Sequence, residues 1–478
     1  MLYFVCMKSF FQRVLSLTAL IGALSLTGAG CTKALDPATM KASQPVSLTM
    51  WGTIDDGTVY GGVISDYRRA HPNVQISYQR IALADYEQTL LEAEAEDRGP
   101  DIFLINHEWT GKYMPRITPM PSVTNVAYSV MTGGLRPQQT WQIQTDPGIS
   151  MLSYKNDYAD AVLQDTIRTV SVTSASGHTS SQPHIMGIPV SLDTMAMFVN
   201  KDLLNTAGIP QAPATWGDFQ TDVKKLVKLD ATGTIMQAAA GIGTAENVDR
   251  SVDLLTVLMM QNGTVMASPD GMPAFHLVPP ELQGQRTEPP SYQALQFYTD
   301  FANPAKDVYT WNKQQPDALD EFIAGKSAFF FGYSYDLPVI RARAPQLNLS
   351  IAALPQIQGN PVRNIANYWY WVVAKKSQNQ DVSWNFLNFL AQPAETQKIL
   401  NVVKRPSARK SLLASQANDE DVSVFASQVL TAATWYQGSD ARTMEAALSG
   451  LINNSLAGTP VDQAMRFAVD TVAQTIHP

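Results

Sequence analysis

Four polar side chains stand where the chain could bind a ligand that carries many hydroxyl groups. Asp55, Asn106 and Glu108 each follow a run typical of a strand, and Asp193 interrupts a short apolar segment. A carboxylate can accept hydrogen bonds from two adjacent hydroxyls, and such charge-assisted bonds are the stronger ones. The alternative for Asp55 is an Asx turn, formed with Asp56, that caps the next helix. For Glu108 and Asp193 the alternative is a solvated charge in a loop.

Aromatic side chains supply a second kind of contact, because sugar rings present C–H faces that stack on aromatic planes. The candidates are Trp51, Trp109, Tyr333, Tyr335, Tyr368, Trp369 and Trp371. In the segment 367–371 a strand period of two places Tyr368 and Tyr370 on one face, with Trp369 and Trp371 on the other. One of these faces is expected to belong to the core. We favour Tyr368 and Trp369 as binding residues, because they are nearest to the start of the strand.

Two further pairs are less informative. Trp435-Tyr436 could cover the ligand, although buried packing is the alternative, and Arg405-Pro406 is expected to be structural. The six histidines show no metal-ligand spacing, and neither a Gly-Xaa-Ser-Xaa-Gly motif nor a phosphate-binding glycine loop occurs. The sequence therefore predicts no catalytic residue, no metal and no cofactor.

Alternating apolar runs and helical spacings predict how these side chains are positioned. Strands are expected at 47–51, 74–81 and 101–105, with an amphipathic helix between each pair, which is a βαβαβ unit with a mostly parallel sheet. Ligands bind beyond the carboxyl ends of the strands in such sheets. Asp55, Asn106, Glu108 and Trp109 stand at those ends.

The segment 187–204 is interpreted as a crossover between two α/β lobes. Pro189 belongs at the start of a strand because it lacks an N–H, and 195–199 reads as a buried strand before Asn200 opens a turn. Asp193 is therefore predicted at the cleft between the lobes. Residues 117–184 cannot be placed, except that 171–183 is predicted to be an exposed loop. Further strands are predicted at 328–331, 349–354 and 368–374, and helices from 382 onward.

Size and composition suit a soluble two-lobed protein. The chain has 478 residues, of which 45% are hydrophobic and 16% charged, and its formal net charge is −8. An acidic balance of this kind argues against nucleic acid as a partner.

The first thirty residues predict a targeting segment. Lys8 and Arg13 precede an apolar run, 14–26, and the sequence up to Cys31 resembles a bacterial lipoprotein signal. That resemblance implies cleavage before Cys31 and its lipidation, which would anchor the protein to the outer face of a membrane. A secretory signal with an incidental cysteine is the alternative. Since Cys6 would be removed, no disulfide is expected.

Several short motifs occur in a characteristic order. They are Gly99-Pro100-Asp101-Ile102, Ile188-Pro189 with Asp193, Asn200-Lys201-Asp202-Leu203-Leu204, Thr215-Trp216-Gly217-Asp218-Phe219, Phe322-Ile323-Ala324-Gly325-Lys326-Ser327-Ala328 and Leu354-Pro355. Together they resemble the family 1 extracellular solute-binding proteins of ABC importers, the group that includes maltose-binding protein. The resemblance covers roughly residues 46–413.

This resemblance implies an α/β fold of the type II periplasmic-binding-protein kind, whose two lobes close over a solute and deliver it to permease subunits. Its sugar-binding members carry acids at positions that correspond to Asp55, Glu108 and Asp193, so the expected solute is a carbohydrate. The family commonly has a stacking Trp where this chain has Ser334. Because of this departure, the resemblance predicts the mode of binding but not the geometry of the sugar. Catalysis is not implied, and we expect a monomer.

The predicted organisation follows from the same resemblance. A signal segment at 1–30 and a flexible tether at 31–45 precede lobe 1 at 46–190 and lobe 2 at 191–309. Residues 310–361 are predicted to return to lobe 1, and residues 362–478 are predicted to complete lobe 2.

Two alternatives stay open. Another solute would still fit a binding protein, either ferric ion, with tyrosine ligands, or a polyamine, which acids and aromatic rings also enclose. The other alternative is a secreted glycan-active enzyme, which would need two opposed carboxylates, or a surface structural protein.

Overall fold

The computed structural model describes residues 35–133, 137–173 and 179–476. The predicted signal segment 1–30 and the predicted lipidation site Cys31 lie outside these residues. Within the stretch predicted to be a flexible tether, Pro37–Ala42 forms a helix. It begins there because the Asp36 side chain accepts hydrogen bonds from backbone N–H groups of the first turn. The prediction of a wholly flexible 31–45 is therefore wrong for its helical part.

The first lobe is built on a six-stranded sheet. Its strands are Val46–Gly52, Val74–Arg80, Ile102–Asn106, Ile117–Thr118, Ile188–Pro189 and Trp369–Ala374. The first strand pairs in parallel with both the second and the third, which confirms the predicted βαβαβ unit. Trp369–Ala374 runs antiparallel to Ile102–Asn106 and also pairs with Ile117–Thr118 and Ile188–Pro189.

Helices pack against this sheet through apolar side chains that recur at helical spacing, as Tyr60, Val63 and Tyr67 do. The α-helices are Thr58–Ala70, Leu83–Ala95, Thr110–Tyr113, Met151–Asp157, Asp160–Thr166, Gln380–Leu390, Pro393–Val403 and Lys410–Leu413. Short 3-10 turns are His107–Trp109, Met114–Arg116 and Ala414–Gln416.

The second lobe is built on a five-stranded sheet. Its strands are Ala196–Asn200, Lys228–Leu229, Ile235–Ala240, Ser327–Gly332 and Leu349–Ala353. Ala196–Asn200 is buried on both faces, since Met197 and Val199 enter one core and Phe198 enters the other. A fully buried strand of this kind explains the unbroken apolar run in the sequence.

The helices of the second lobe enclose these two cores. They are Lys201–Thr206, Trp216–Leu226, Ser251–Gln261, Pro290–Asp300, Ala318–Ile323, Asp336–Arg343, Ser423–Gln428, Ala441–Leu456 and Val461–Ala473. Pro280–Leu282 and Val429–Thr431 are 3-10 turns. Each helix among the described residues is too short or too polar to cross a membrane.

A third sheet, which we call the crossover sheet, joins the lobes. Its strands are Asp193–Thr194, Asn364–Asn367 and Ala432–Ala433, in the order in which they pair. Each strand lies in a stretch of chain that connects one lobe with the other. Asp193 therefore stands in the connection itself, opposite Asn367.

Strand pairing reverses two predicted lobe assignments. Within the predicted return segment 310–361, Ser327–Gly332 and Leu349–Ala353 pair with Ala196–Asn200 and so belong to the second lobe. Within 362–478, Trp369–Ala374 and the two helices that follow it belong to the first lobe. The reason is that a continuous apolar strand could be buried in either sheet, and its sequence does not show with which distant strand it pairs.

The region 117–184, which the sequence left unassigned, contributes strands to two two-stranded sheets. Val123–Thr132 and Gln138–Pro147 form one two-stranded sheet. Ile167–Thr173 pairs antiparallel with Thr179–Ile185, so the loop predicted at 171–183 is wrong for the residues in these strands. Ser- and Thr-rich strands resemble loops in composition, but here cross-strand bonding satisfies their backbone groups.

Candidate functional site

A cavity of about 390 Å³ opens at the carboxyl ends of the first-sheet strands, next to the crossover sheet. Most of its lining comes from the first lobe, while Arg250 and Tyr335 come from the second. Its aromatic side chains are Tyr60, Tyr335, Tyr368, Trp369 and Trp371, and its charged side chains are Asp55, Arg80, Asp193, Arg250 and Arg405. The structure brings together six of the ten predicted ligand-binding residues here: Asp55, Asn106, Asp193, Tyr335, Tyr368 and Trp369.

Strand register makes one wall of the cavity aromatic. Trp369 pairs with Asn106 and Trp371 pairs with Leu104, so these four side chains share one face of the first sheet. All four line the cavity. Tyr370 points to the opposite face and is fully buried in the first core. Trp371 is thus a lining residue that was among the aromatic candidates but was not favoured for binding, although the period of two linked it to Trp369.

Asp55 is held by Arg405 at the edge of the cavity. Nη2 of Arg405 lies 2.7 Å from Oδ1 of Asp55, and Nη1 lies 3.1 Å from Oδ2. The Tyr60 hydroxyl donates to Oδ2 at 3.0 Å, and the Tyr78 hydroxyl donates to the backbone carbonyl of Asp55 at 2.7 Å. Asp56 instead forms the turn before the next helix, because its carboxylate accepts the backbone N–H two residues on, at 3.0 Å. Asp56 therefore makes the turn, while the carboxylate of Asp55 lines the cavity in contact with Arg405 and Tyr60.

Asp193 is 4% exposed and is held inside the crossover region. Its Oδ2 accepts hydrogen bonds from the Ser334 backbone N–H at 2.9 Å and from the Ser334 hydroxyl at 2.6 Å. Its Oδ1 accepts the backbone N–H of Thr194 at 2.9 Å. Burial raises the pKa of Asp193 to about 6, although the bonds from Ser334 act in the opposite direction. At the position where the resembling family has a stacking Trp, Ser334 thus fixes a carboxylate.

Tyr368 reaches from the cavity into a buried polar group around Asp165. Its hydroxyl donates to Oδ2 of Asp165 at 2.8 Å, and Thr434 Oγ1 donates to Oδ1 at 3.0 Å. Burial raises the pKa of Asp165 to about 7. Burial also lowers the pKa of His107 to about 3, so its contact with Asp165 at 3.6 Å is not an ion pair at neutral pH. Asp165 therefore orients Tyr368 and ties the first lobe to the chain just after the strand Ala432–Ala433.

Four predicted residues do not line the cavity: Trp51, Glu108, Trp109 and Tyr333. Trp51 packs against the first core, and Trp109 stands edge-on to Trp369 with ring centroids 5.1 Å apart. Trp435 and Tyr436 are buried in the second core, so the packing alternative that we gave for this pair is correct.

Glu108 and Tyr333 belong instead to a polar cluster around Arg250. Nε and Nη2 of Arg250 lie 2.7 and 3.1 Å from the carboxylate oxygens of Asp253, and Nη1 lies 3.3 Å from Glu445. The Tyr333 hydroxyl donates to Asp253 at 2.6 Å. Burial raises the pKa of Glu108 to about 8, although the charge of Arg250 lowers it. Because Arg250 lines the cavity, this cluster forms its border on the second lobe.

The arginines of the cavity are the functional candidates that sequence reasoning missed. Arg405 was expected to be structural, and Arg80 and Arg250 were not singled out. The partner of Arg405 is Asp55, which is far away in the chain, so no local sequence pattern indicated that pair. Arg250 and Asp253 are three residues apart, which is a spacing that the sequence did offer.

Taken together, the lining groups can stack on a ring and can donate to or accept from polar atoms around it. Among the described residues, no group of three or more His, Cys, Asp or Glu side chains could hold a metal ion. The arrangement suits reversible binding of a polar ring compound.

Comparison with known proteins also indicates a binding protein. A family model described as bacterial extracellular solute-binding protein matches residues 62–426. Proteins named as binding proteins in Brucella abortus (strain 2308) and Brucella suis biovar 1 (strain 1330) are 23% identical to this chain over 214 residues. This match covers 43% of the chain and 46% of each relative, so it spans about half the length of those proteins.

Solved structures share the fold over most of the chain. The GacH receptor of Streptomyces glaucescens GLA.O, studied unliganded and with acarbose, has a TM-score of 0.64 at 15% identity and covers 90% of this chain and 98% of its own. The sugar-binding protein MalE of Xanthomonas citri has a TM-score of 0.65 at 18% identity, with 90% and 97% coverage. A cyclo/maltodextrin-binding protein complexed with maltotetraose has a TM-score of 0.65 at 16% identity, with 91% and 98% coverage. At these identities the likeness establishes a shared two-lobed α/β fold.

Proposed function

The chain belongs to the bacterial extracellular solute-binding proteins, and from this premise we propose that it captures a carbohydrate and delivers it to the permease of an ABC importer. Membership of the family implies an extracytoplasmic location. The neighbours named above bind acarbose or maltotetraose, or are described as sugar-binding, which supports a sugar as the solute here.

The aromatic wall of the cavity is the observation that carries this proposal. Trp369 is half-buried and presents apolar ring surface on the face that also carries Asn106, whereas Trp371 is 1% exposed and packs edge-on against Tyr60. A sugar ring can place its C–H face on such a surface, while its hydroxyls bond to the polar groups at the rim. Asp55 and Asp193 supply carboxylate oxygens on the lining of the same cavity.

Closure of the two lobes is the movement that we assign to this binding. Besides the crossover sheet, the lobes meet where Gly111 lies against Gly438: a Cβ on Gly111 would be 2.3 Å from the Gly438 carbonyl oxygen. Nη2 of Arg442, on the second lobe, lies 3.2 Å from Oε2 of Glu87, on the first. These contacts are proposed to form on closing and to separate on opening.

The predicted N-terminal processing completes the proposal. Lipidation of Cys31 would hold a monomeric protein at the outer face of a membrane, close to the permease. Metabolic labelling with a fatty-acid analogue checks this assignment, since label that persists in Cys31→Ser would rule it out.

The central experiment is identification of the bound solute. The full-length chain is purified, any retained small molecule is identified by mass spectrometry, and calorimetry follows with mono- and oligosaccharides, spermidine and a ferric chelate. Heat with a sugar is expected. Heat only with iron or with the amine would contradict the sugar, and release of a cleaved glycan in a turnover assay would contradict the role of a pure binding protein.

A further inference from the structure

The two carboxylates of the cavity are already largely occupied by the protein. Asp55 accepts two hydrogen bonds from Arg405 and one from Tyr60. Asp193 accepts two from Ser334 and one from the backbone N–H of the next residue. Since an ionised carboxylate offers about four acceptor positions, each keeps about one for a ligand hydroxyl. The cavity is therefore poor in free charged acceptors.

The same cavity is rich in donors, because three arginines line it. Arg405 is neutralised by Asp55, and Arg250 is neutralised by Asp253. The third, Arg80, is exposed at the end of the strand Val74–Arg80. No carboxylate among the described residues comes within ion-pair distance of it. The lining thus carries one positive charge that this part of the protein does not pair.

The guanidinium of Arg80 is oriented as well as unpaired. Its Nε donates to the backbone carbonyl of Thr53 at 3.2 Å, and within the described ranges this is its one hydrogen bond. Both terminal nitrogens are left for another acceptor. A planar fork held in this way matches the two oxygens of a carboxylate or of a phosphate.

Asp56 is a nearby carboxylate that does not take this role. Its side chain accepts the backbone N–H of Thr58 at 3.0 Å. The hydrogen bonds from Thr58 and, to a smaller degree, the charge of Arg80 lower the pKa of Asp56. The two side chains therefore attract each other, but no direct ion pair joins them in the part of the chain that the structure describes.

From the scarcity of free acceptors and the unpaired Arg80, we infer that the carbohydrate bound here is acidic, and that Arg80 holds its anionic group. This inference rests on the proposed function, since it names the class of sugar for the same cavity. A neutral sugar would leave Arg80 unpaired and would offer its hydroxyl hydrogens to carboxylates that have little capacity left. A carboxylate, phosphate or sulfate on the sugar would accept from both terminal nitrogens.

Calorimetry with matched sugars tests the inference on the full-length chain. The pairs are D-galacturonate with D-galactose and D-glucuronate with D-glucose, as mono- and disaccharides, and the 6-phosphate and 6-sulfate of galactose separate the possible anions. The acidic member of a pair is expected to bind at least tenfold more tightly, with an advantage that shrinks as sodium chloride is raised. Arg80→Gln is expected to remove that advantage. Arg98→Gln is the matched control, because Arg98 is exposed, pairs with Glu96 and does not line the cavity.

The outcomes distinguish failure of the acidic-sugar inference from failure of the proposed function. A neutral sugar that binds as tightly as its acidic counterpart overturns the inference and leaves the proposed function intact. An acid preference that survives in Arg80→Gln overturns the role given to Arg80. Absence of binding to every sugar in the panel, neutral or acidic, overturns both.

Discussion

Arg405 and Asp55 are 350 residues apart in the chain, yet Arg405 places both terminal nitrogens on the carboxylate of Asp55, at 2.7 and 3.1 Å. The side chains of the two residues are 17% and 10% exposed, so the pair is largely shielded from water. It joins the loop after the first strand to the chain that follows the helix Pro393–Val403. This ion pair therefore holds together two segments of the first lobe that are distant in the chain, and both of its side chains line the cavity.

Breaking this pair is expected to destabilise the protein. Arg405→Gln leaves Asp55 as a shielded charge without its partner, for which a loss of about 3 kcal/mol in the free energy of unfolding is typical. Urea unfolding measures the loss. In the double variant with Asp55→Asn, the loss is expected to be clearly smaller than the sum of the two single losses. Arg98→Gln, at an exposed pair, is expected to change stability by less than about 1 kcal/mol. Additive losses would show that the pair is not coupled.

Removing the aromatic wall is expected to weaken sugar binding. Trp369→Ala deletes a stacking surface worth about 1 kcal/mol or more, which corresponds to a rise in Kd of about fivefold or more, measured by calorimetry. Tyr370→Phe is the matched control, because Tyr370 faces the core and its hydroxyl contacts Thr110 Oγ1 at 2.7 Å. It is expected to change stability without changing affinity. Equal affinity in Trp369→Ala and the wild type would remove this wall from the site.

Blocking the close contact between Gly111 and Gly438 is expected to limit closure of the two lobes. In Gly111→Ala the new methyl group would meet the Gly438 backbone carbonyl oxygen, so the lobes cannot approach as closely. Ligand affinity is expected to fall, and small-angle scattering with saturating ligand is expected to give a larger radius of gyration than for the wild type.

Gly62→Ala provides the control for that variant. Gly62 also lies in a first-lobe helix, but a Cβ there would meet nothing within 4 Å. This substitution is expected to raise stability by roughly 0.5–1 kcal/mol through helix propensity, with affinity unchanged. If both alanine variants closed and bound like the wild type, the contact would have no part in closure.

Asp165 is expected to make stability depend on pH. Burial raises its pKa from 3.8 to about 7, so between these values the folded protein keeps a proton that the unfolded chain has lost. Stability therefore falls as pH rises through this window, at up to about 1.4 kcal/mol per pH unit from this group. Asp165→Asn is expected to remove that contribution, measured as the difference between the pH profiles of the two proteins.

Thr434→Val separates titration from packing at the same place. It deletes the hydroxyl that donates to Asp165 but keeps the carboxyl group. We expect lower stability with a retained pH slope in this variant. A slope that disappears here, or that persists in Asp165→Asn, would mean that another group titrates.

Local patterns were sufficient for the βαβαβ unit of the first sheet but not for assigning the later strands to lobes. Parallel strands with intervening amphipathic helices are specified within about sixty residues, and their order was predicted correctly. Ser327–Gly332 and Trp369–Ala374 were assigned to the wrong lobes, because both are continuous apolar strands. Such strands carry no local mark of the partner that they will join.

The same distinction between local pattern and tertiary contact applies to the residues of the cavity. Asp55, Asn106 and Trp369 could be anticipated because each stands at the end of a strand or in a periodic strand. Arg405 could not, because its partner is set by tertiary contact rather than by spacing. Glu108 had the right position along the chain, but its environment is the cluster around Arg250, which only the folded second lobe creates.

The pairing of Ile102–Asn106 with Trp369–Ala374 also constrains how the protein is made. Asn106 and Asn367, whose side chains meet beside that pairing, are 261 residues apart. In a newly synthesised chain the third strand can pair with the first, but its antiparallel partner is absent until most of the chain has emerged, and contacts of such long range form slowly. We therefore expect the nascent polypeptide to stay unfolded for long enough to be threaded through a secretion channel, with its own topology delaying the native state until translocation is nearly finished.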